Sequence, residues 1–208
     1  MDYIFPFSTC EIPQEGIAQP FSFFINIISI FIVLYFLFQT EKTYNFLFIL
    51  SLLIFEMTHT FSHYIHLPNF IQVNMIHLTS YVINALYLLI LYTYTQKSPS
   101  IYFLLFLFSF LCFDIYAFTF LPFIYYFSSS IIIFLSILSY YYRYFSKEKK
   151  NYLITIFIFM MCVMILIYNE NINCKWMLSM FPGFPFHAIL EIFGTIGFYY
   201  VCNFFYKL

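Results

Sequence analysis

Apolar residues run along this chain in long blocks, and the blocks are separated by prolines and short polar clusters rather than by any strand-like alternation. A membrane-spanning helix needs about 20 mostly apolar residues. The prolines at 6, 13, 20, 68, 99, 122, 182 and 185 fall near the ends of runs of that length. The pattern predicts seven spans, at 21–39, 45–67, 71–96, 101–119, 123–142, 152–169 and 185–206. Residues 101–142 form one apolar stretch, but a single helix of that length would reach roughly 60 Å, so Pro122 predicts a turn. No repeat or linker divides the chain, and residues 1–208 read as one seven-span membrane domain. The fold class expected is all-α, a polytopic membrane bundle. The first twenty residues have no basic stretch and no signal-length apolar run, and read as a retained polar segment leading into span one.

Composition fits this reading. The chain is 63% hydrophobic and 8% charged, whereas a soluble domain carries about 25% charged residues. That excludes a soluble globular domain, a disordered chain and a disulfide-dense secreted module, and a nucleic-acid partner is not expected. With 33 Phe and 21 Tyr, aromatic abundance is a property of the whole chain and marks no cofactor box.

Charge placement sets the orientation. With seven spans, Lys42, Lys97, Arg143, Lys147, Lys149, Lys150 and Lys207 share one side, and Lys175 alone lies on the other. The positive-inside rule makes the basic side cytoplasmic. The N-terminus is then non-cytoplasmic and the C-terminus cytoplasmic. Cys112, Cys162 and Cys202 fall in spans. Cys10 and Cys174 fall in polar segments on the non-cytoplasmic side, where a disulfide between them can persist.

Ionisable groups inside a bilayer are costly and mark function by default. This chain places Glu56, His59, His63, His66, His77, Asp114, His187 and Glu191 within spans or at their ends. Positions 56, 59, 63 and 66 fall within an arc of about 80° on one helix. His77 shares a face with Tyr81 and Asn84, and His187 and Glu191 are i,i+4 neighbours. His63, His77, His187 and Glu191 form a candidate layer in the outer half of the membrane. Glu56 and His59 lie deeper, with Glu56 placed to orient His59 from behind. Asp114 reads either as a buried partner of the histidine cluster or as a hydrogen-bonded structural carboxyl. Imidazoles with a carboxylate suit zinc.

Several short segments carry a resemblance. Cys10-Glu11 before span one, Ser62-x-x-x-His66 in span two, Asn173-Cys174 before span seven and His187-x-x-x-Glu191 within it follow one order and one set of sides. Together they resemble the alkaline ceramidases and the wider CREST superfamily of seven-span membrane hydrolases, which includes the progestin and adipoQ receptors. The resemblance implies a seven-helix bundle holding one zinc ion. Its ligands by position are His66, His187 and Glu191, with Ser62 beside them and His77 where the family has an Asp. Glu191 stands where the family has a His. His63 is an alternative ligand, favoured by depth where spacing favours His66. Glu11, with Glu15 and Asp2, reads as a polar or cation-binding cap. The function implied is zinc-dependent hydrolysis of a ceramide-like lipid amide within the bilayer, with Ser62 stabilising the oxyanion and His77, or alternatively Asp114, moving the proton. The alternatives are a membrane b-type cytochrome with histidine-ligated haem, and a non-enzymatic receptor or transporter that uses the same cluster. The sequence leaves lipid specificity and oligomeric state open.

Overall fold

The computed structural model describes residues 10–12, 14, 16–64, 69–121 and 123–208. The chain is all-helical, with seven helices among the described residues: α1 (Pro20–Gln39), α2 (Thr43–Tyr64), α3 (Asn69–Thr95), α4 (Ile101–Phe120), α5 (Phe123–Tyr142), α6 (Lys147–Met180) and α7 (Phe186–Phe205). Six of them contain stretches long and apolar enough to cross a membrane, and within α5 Ser128–Tyr142 forms a shorter apolar helix. Large apolar side chains cover the outside, with Phe38 82% and Tyr102 81% exposed. An apolar exterior of that extent needs a hydrocarbon surround. The chain is a multi-pass membrane protein.

Local chemistry sets the helix ends. Pro20 opens α1, where its missing N–H costs nothing. Ser100 and Ser146 cap α4 and α6, accepting from the amides of Phe103 and Lys149. Gly183, at φ +80°, makes the turn from α6 to α7 in a backbone region that disfavours side chains.

Helices α1, α2, α3, α5, α6 and α7 pack in sequence as a ring that closes through α1 against α7. Helix α4 lies outside the ring against α5. Of its residues only Asp114 and Ala117 are buried. The main apolar core fills one half of the ring, around Phe48, Ile49, Leu52, Tyr87, Leu91 and Phe205.

The two ends of the bundle differ. At one end Lys42 donates to the Leu208 carbonyl, Asn45 to that of Phe205, and Tyr141 to that of Lys97. The cations here rest on tyrosine rings, Lys149 on Tyr94 and Arg143 on Tyr144. The opposite end carries the polar cluster described below.

Helix α6 is the main difference from the sequence reading. Its 34 residues span about 51 Å at 1.5 Å each, more than the roughly 40–45 Å of a whole bilayer. Residues 170–180, expected as loop, continue the helix to Met180. The run of asparagines does not end it, because Asn173 donates to Asn169 one turn back at 2.5 Å and so satisfies its amide along the helix surface.

Candidate metal centre

Helix α2 sets His59 and His63 one turn apart on its inner face, and α7 does the same for His187 and Glu191. The two stripes meet inside the ring. His59 Nε2 and His63 Nε2 are 3.1 Å apart. Glu191 Oε1 lies 3.4 Å from His63 Nε2, 3.7 Å from His59 Nε2 and 3.0 Å from His187 Nε2. His59, His63 and Glu191 form a group that could hold a metal ion, with candidate ligand atoms all within 4.8 Å of one another. His187 adjoins it. His63, His187 and Glu191 are buried, and His59 is half-buried.

The outward-facing nitrogens have defined partners. His63 Nδ1 meets Gln19 Oε1. His187 Nδ1 meets both oxygens of Glu170, at 2.8 and 3.0 Å. An amide oxygen and a carboxylate are acceptors, so a proton on Nδ1 of each imidazole satisfies these contacts, and in the neutral rings it leaves the Nε2 lone pairs turned inward. Those two lone pairs face a carboxylate oxygen that is itself an acceptor. His187 Nε2 and Glu191 Oε1 are both buried without a hydrogen-bond partner despite their 3.0 Å separation. Acceptors converging in a buried space repel unless a proton or a metal cation sits among them.

Behind this group lie Glu56, whose Oε2 is 3.9 Å from His59 Nδ1, and Asn26, whose Nδ2 is 3.4 Å from the same atom. Glu56 lies beside His59 at a distance too long for a hydrogen bond, its Oε2 buried and without a partner, and His59 sits in the group itself rather than behind it. His66 lies outside the described residues, as do Glu15 and Asp2.

His77 and Asp114 make a separate cluster between α3, α4 and α5. Asp114 accepts from Tyr81 at 2.9 Å, from Ser130 at 3.1 Å and from Ser129, and His77 Nδ1 is 4.0 Å away. His77 stacks on Phe118. Neither residue is a member of the candidate metal group. Ser62 donates its hydroxyl proton to the His59 carbonyl at 2.5 Å and does not face the cavity.

That cavity, of about 200 Å³, opens from the metal group between α2, α3, α5, α6 and α7. Phe55, Ile83, Phe134, Met160 and Phe198 give it an apolar lining, into which Ser80, Asn84, Tyr126, Ser130 and Thr195 insert hydrogen-bonding groups. The Ser80 and Tyr126 hydroxyls are 3.1 Å apart.

Two residues at this end carry no weight in a reading of the sequence. Glu170 is only 5% exposed and accepts the Cys10 amide at 2.6 Å as well as His187; placed in an expected loop, it reads as solvated. Gln19 lies in the polar lead-in and looks like any loop amide. Nearby, Cys10 and Cys174 are joined by a disulfide, with Cα atoms 5.4 Å apart, inside the range a disulfide bridges. Glu11 accepts from the amides of Phe21 and Ser22 and from the Ser22 hydroxyl, and so caps α1. No protein-family model, curated protein or solved structure matches the chain.

Proposed function

We propose that this chain is a seven-span, zinc-dependent membrane hydrolase acting on a lipid amide of ceramide-like form, oriented with its basic end in the cytoplasm. The observation that carries the reading is the convergence of the Nε2 atoms of His63 and His187 on a buried Glu191 oxygen that has no hydrogen-bond partner. A His₂Glu donor set suits zinc in a catalytic site, where a fourth position stays free for water or substrate. His59 can add a further nitrogen. Asn26 Oδ1 is buried without a hydrogen-bond partner, and turning that amide end for end would let it accept from His59 Nδ1 and leave Nε2 unprotonated.

When bound, zinc supplies Lewis-acid polarisation of a carbonyl and a lowered pKa for water. This chain's residues do the rest. Gln19 and Glu170 hold the imidazoles in one tautomer. The apolar cavity walls receive an acyl chain and exclude water from the space beside Glu191. Tyr126, rather than Ser62 or His77, presents a hydroxyl to a polar group in that cavity, beside Ser80, whose own proton goes to the His77 carbonyl. The orientation follows from the basic end bearing Lys42, Lys97, Arg143 and Lys149, which puts the metal group in the outer half of the membrane.

The geometry favours an ion over haem. Axial imidazoles must flank a broad flat macrocycle, and here the rings of His59 and His63 have centroids 4.5 Å apart, those of His63 and His187 5.2 Å. Transport is disfavoured by the seal of Val33, Phe48, Ile49, Leu52, Tyr87 and Phe205, all buried, between the polar end and the basic end.

The test is hydrolysis of a long-chain N-acyl sphingoid base by protein purified in detergent, with Glu191→Gln as the comparison. Release of fatty acid by the wild type and its loss in the variant supports the reading. A zinc-loaded wild type that releases none refutes the hydrolase assignment.

A further inference from the structure

The metal group is built on α2 and α7, yet two of the imidazoles at it, those of His63 and His187, contact groups that the N-terminal segment supplies or holds. At one end of that segment Gln19 gives its side-chain oxygen to His63 Nδ1, and the backbone amide of Gln19 donates to the His63 carbonyl at 3.0 Å. Ala18 adds a second amide to the end of α2, donating to the Tyr64 carbonyl at 3.4 Å. At the other end, the Cys10 amide donates to Glu170 Oε1, and the same carboxylate accepts from His187 Nδ1. The Cys10 carbonyl takes the amide of Phe186, the residue before His187, at 3.0 Å. Cys174 lies one turn beyond Glu170 on α6, and its disulfide to Cys10 fixes the segment where these contacts form. Cys10, Gln19 and Glu170 are all at most 5% exposed.

Resting on the metal-site reading above, we propose that Cys10 and Gln19, the two described ends of this segment, act as a cross-linked strap that sets metal affinity. In it Glu170 and Gln19 are positioning residues for the two imidazoles, and the Cys10–Cys174 disulfide holds the strap in place. Three physical points carry this. Nδ1 partners fix the tautomer and ring angle of a metal-bound histidine, and their loss weakens metal binding by about 10–100-fold. A carboxylate buried at 5% exposure needs its acceptors used, and Glu170 has two donors, one from the strap and one from the ligand. Finally, its described ends contact the end of α2 and the start of α7, and one covalent bond fixes the Cys10 end where the outer partner of His187 is held. Opening that bond would let Cys10 leave Glu170, and the carboxylate would then draw water or swing off His187.

The experiment is a zinc competition titration against a fluorescent chelator, on full-length protein in detergent. It compares wild type, Glu170→Ala, Glu170→Gln, Gln19→Ala and the Cys10→Ser/Cys174→Ser pair. Glu170→Ala and Gln19→Ala should each weaken zinc binding by about 10–100-fold. Glu170→Gln should fall between Glu170→Ala and wild type, because its amide oxygen keeps one of the two acceptor roles. The serine pair should weaken binding by about tenfold, and adding Glu170→Ala to it should cost less than Glu170→Ala costs alone, since both act through His187. The melting temperature gained on adding zinc to stripped protein should shrink in the same order, a readout that a purely structural strap would leave intact. If the serine pair does not fold, wild type reduced with a phosphine that is then removed takes its place. Wild type that binds zinc while all variants bind as tightly overturns the strap and leaves the site standing. Wild type that binds no zinc overturns both.

Discussion

Glu170 Oε2 lies 2.8 Å from His187 Nδ1, across the turn that joins α6 to α7. This pair ties the outer extension of α6 to the stripe that carries Glu191. Replacing Glu170 with Ala would strand the His187 N–H and the Cys10 amide in a buried site. Each unmet donor costs about 1–3 kcal/mol, so metal-stripped protein should melt several degrees lower. An unchanged melting temperature in detergent would mean that water already serves both donors.

Asp114 is the anchor for α4, the helix outside the ring. Asp114→Ala would remove the acceptor for Tyr81, Ser129 and Ser130 together. Proteolysis near residues 96–100 should then become faster, while bound zinc per chain stays as in the wild type. Loss of zinc in this variant would instead place Asp114 in the metal group.

The disulfide predicts a labelling pattern. Of five cysteines, Cys112, Cys162 and Cys202 are free. Unfolded, non-reduced protein should take up a thiol reagent at those three alone, and reduction should add Cys10 and Cys174, read by mass spectrometry of the peptides. Labelling of Cys10 without reduction would contradict the cross-link.

Glu11 accepts from two amides and one hydroxyl at the start of α1. Glu11→Ala should cost about 0.5–2 kcal/mol of local stability. Hydrogen exchange should speed up at Phe21 and Ser22 and leave the middle of α1 unaffected. Uniform exchange along α1 in both proteins would show that the cap does not hold the helix end.

The helices were legible because apolar length and proline spacing are properties of the chain itself; α4 ends at Phe120 and α5 begins at Phe123, although Pro122 itself lies outside the described residues. The stripe of Glu56, His59 and His63 was legible for the same reason, since helical periodicity alone puts them on one face. What could not be read was anything that depends on which helix neighbours which. His77 sits on the right face of α3 for the metal layer, but the packing of α4 brings Asp114 and Phe118 to it. Ser62 has a motif-like spacing, yet its proton is spent on a carbonyl of its own helix. Glu170 was hidden by its setting. Flanked by asparagines, it looks like loop, and only the continuation of α6 turns it inward to His187.

The account stands on a cation among His59, His63, His187 and Glu191. Elemental analysis of purified wild type, beside Glu191→Gln and His63→Ala, tests it most directly. About one zinc per chain is expected in the wild type, with little in either variant although both still fold. A folded wild type devoid of metal, or variants that keep a full equivalent, would contradict it.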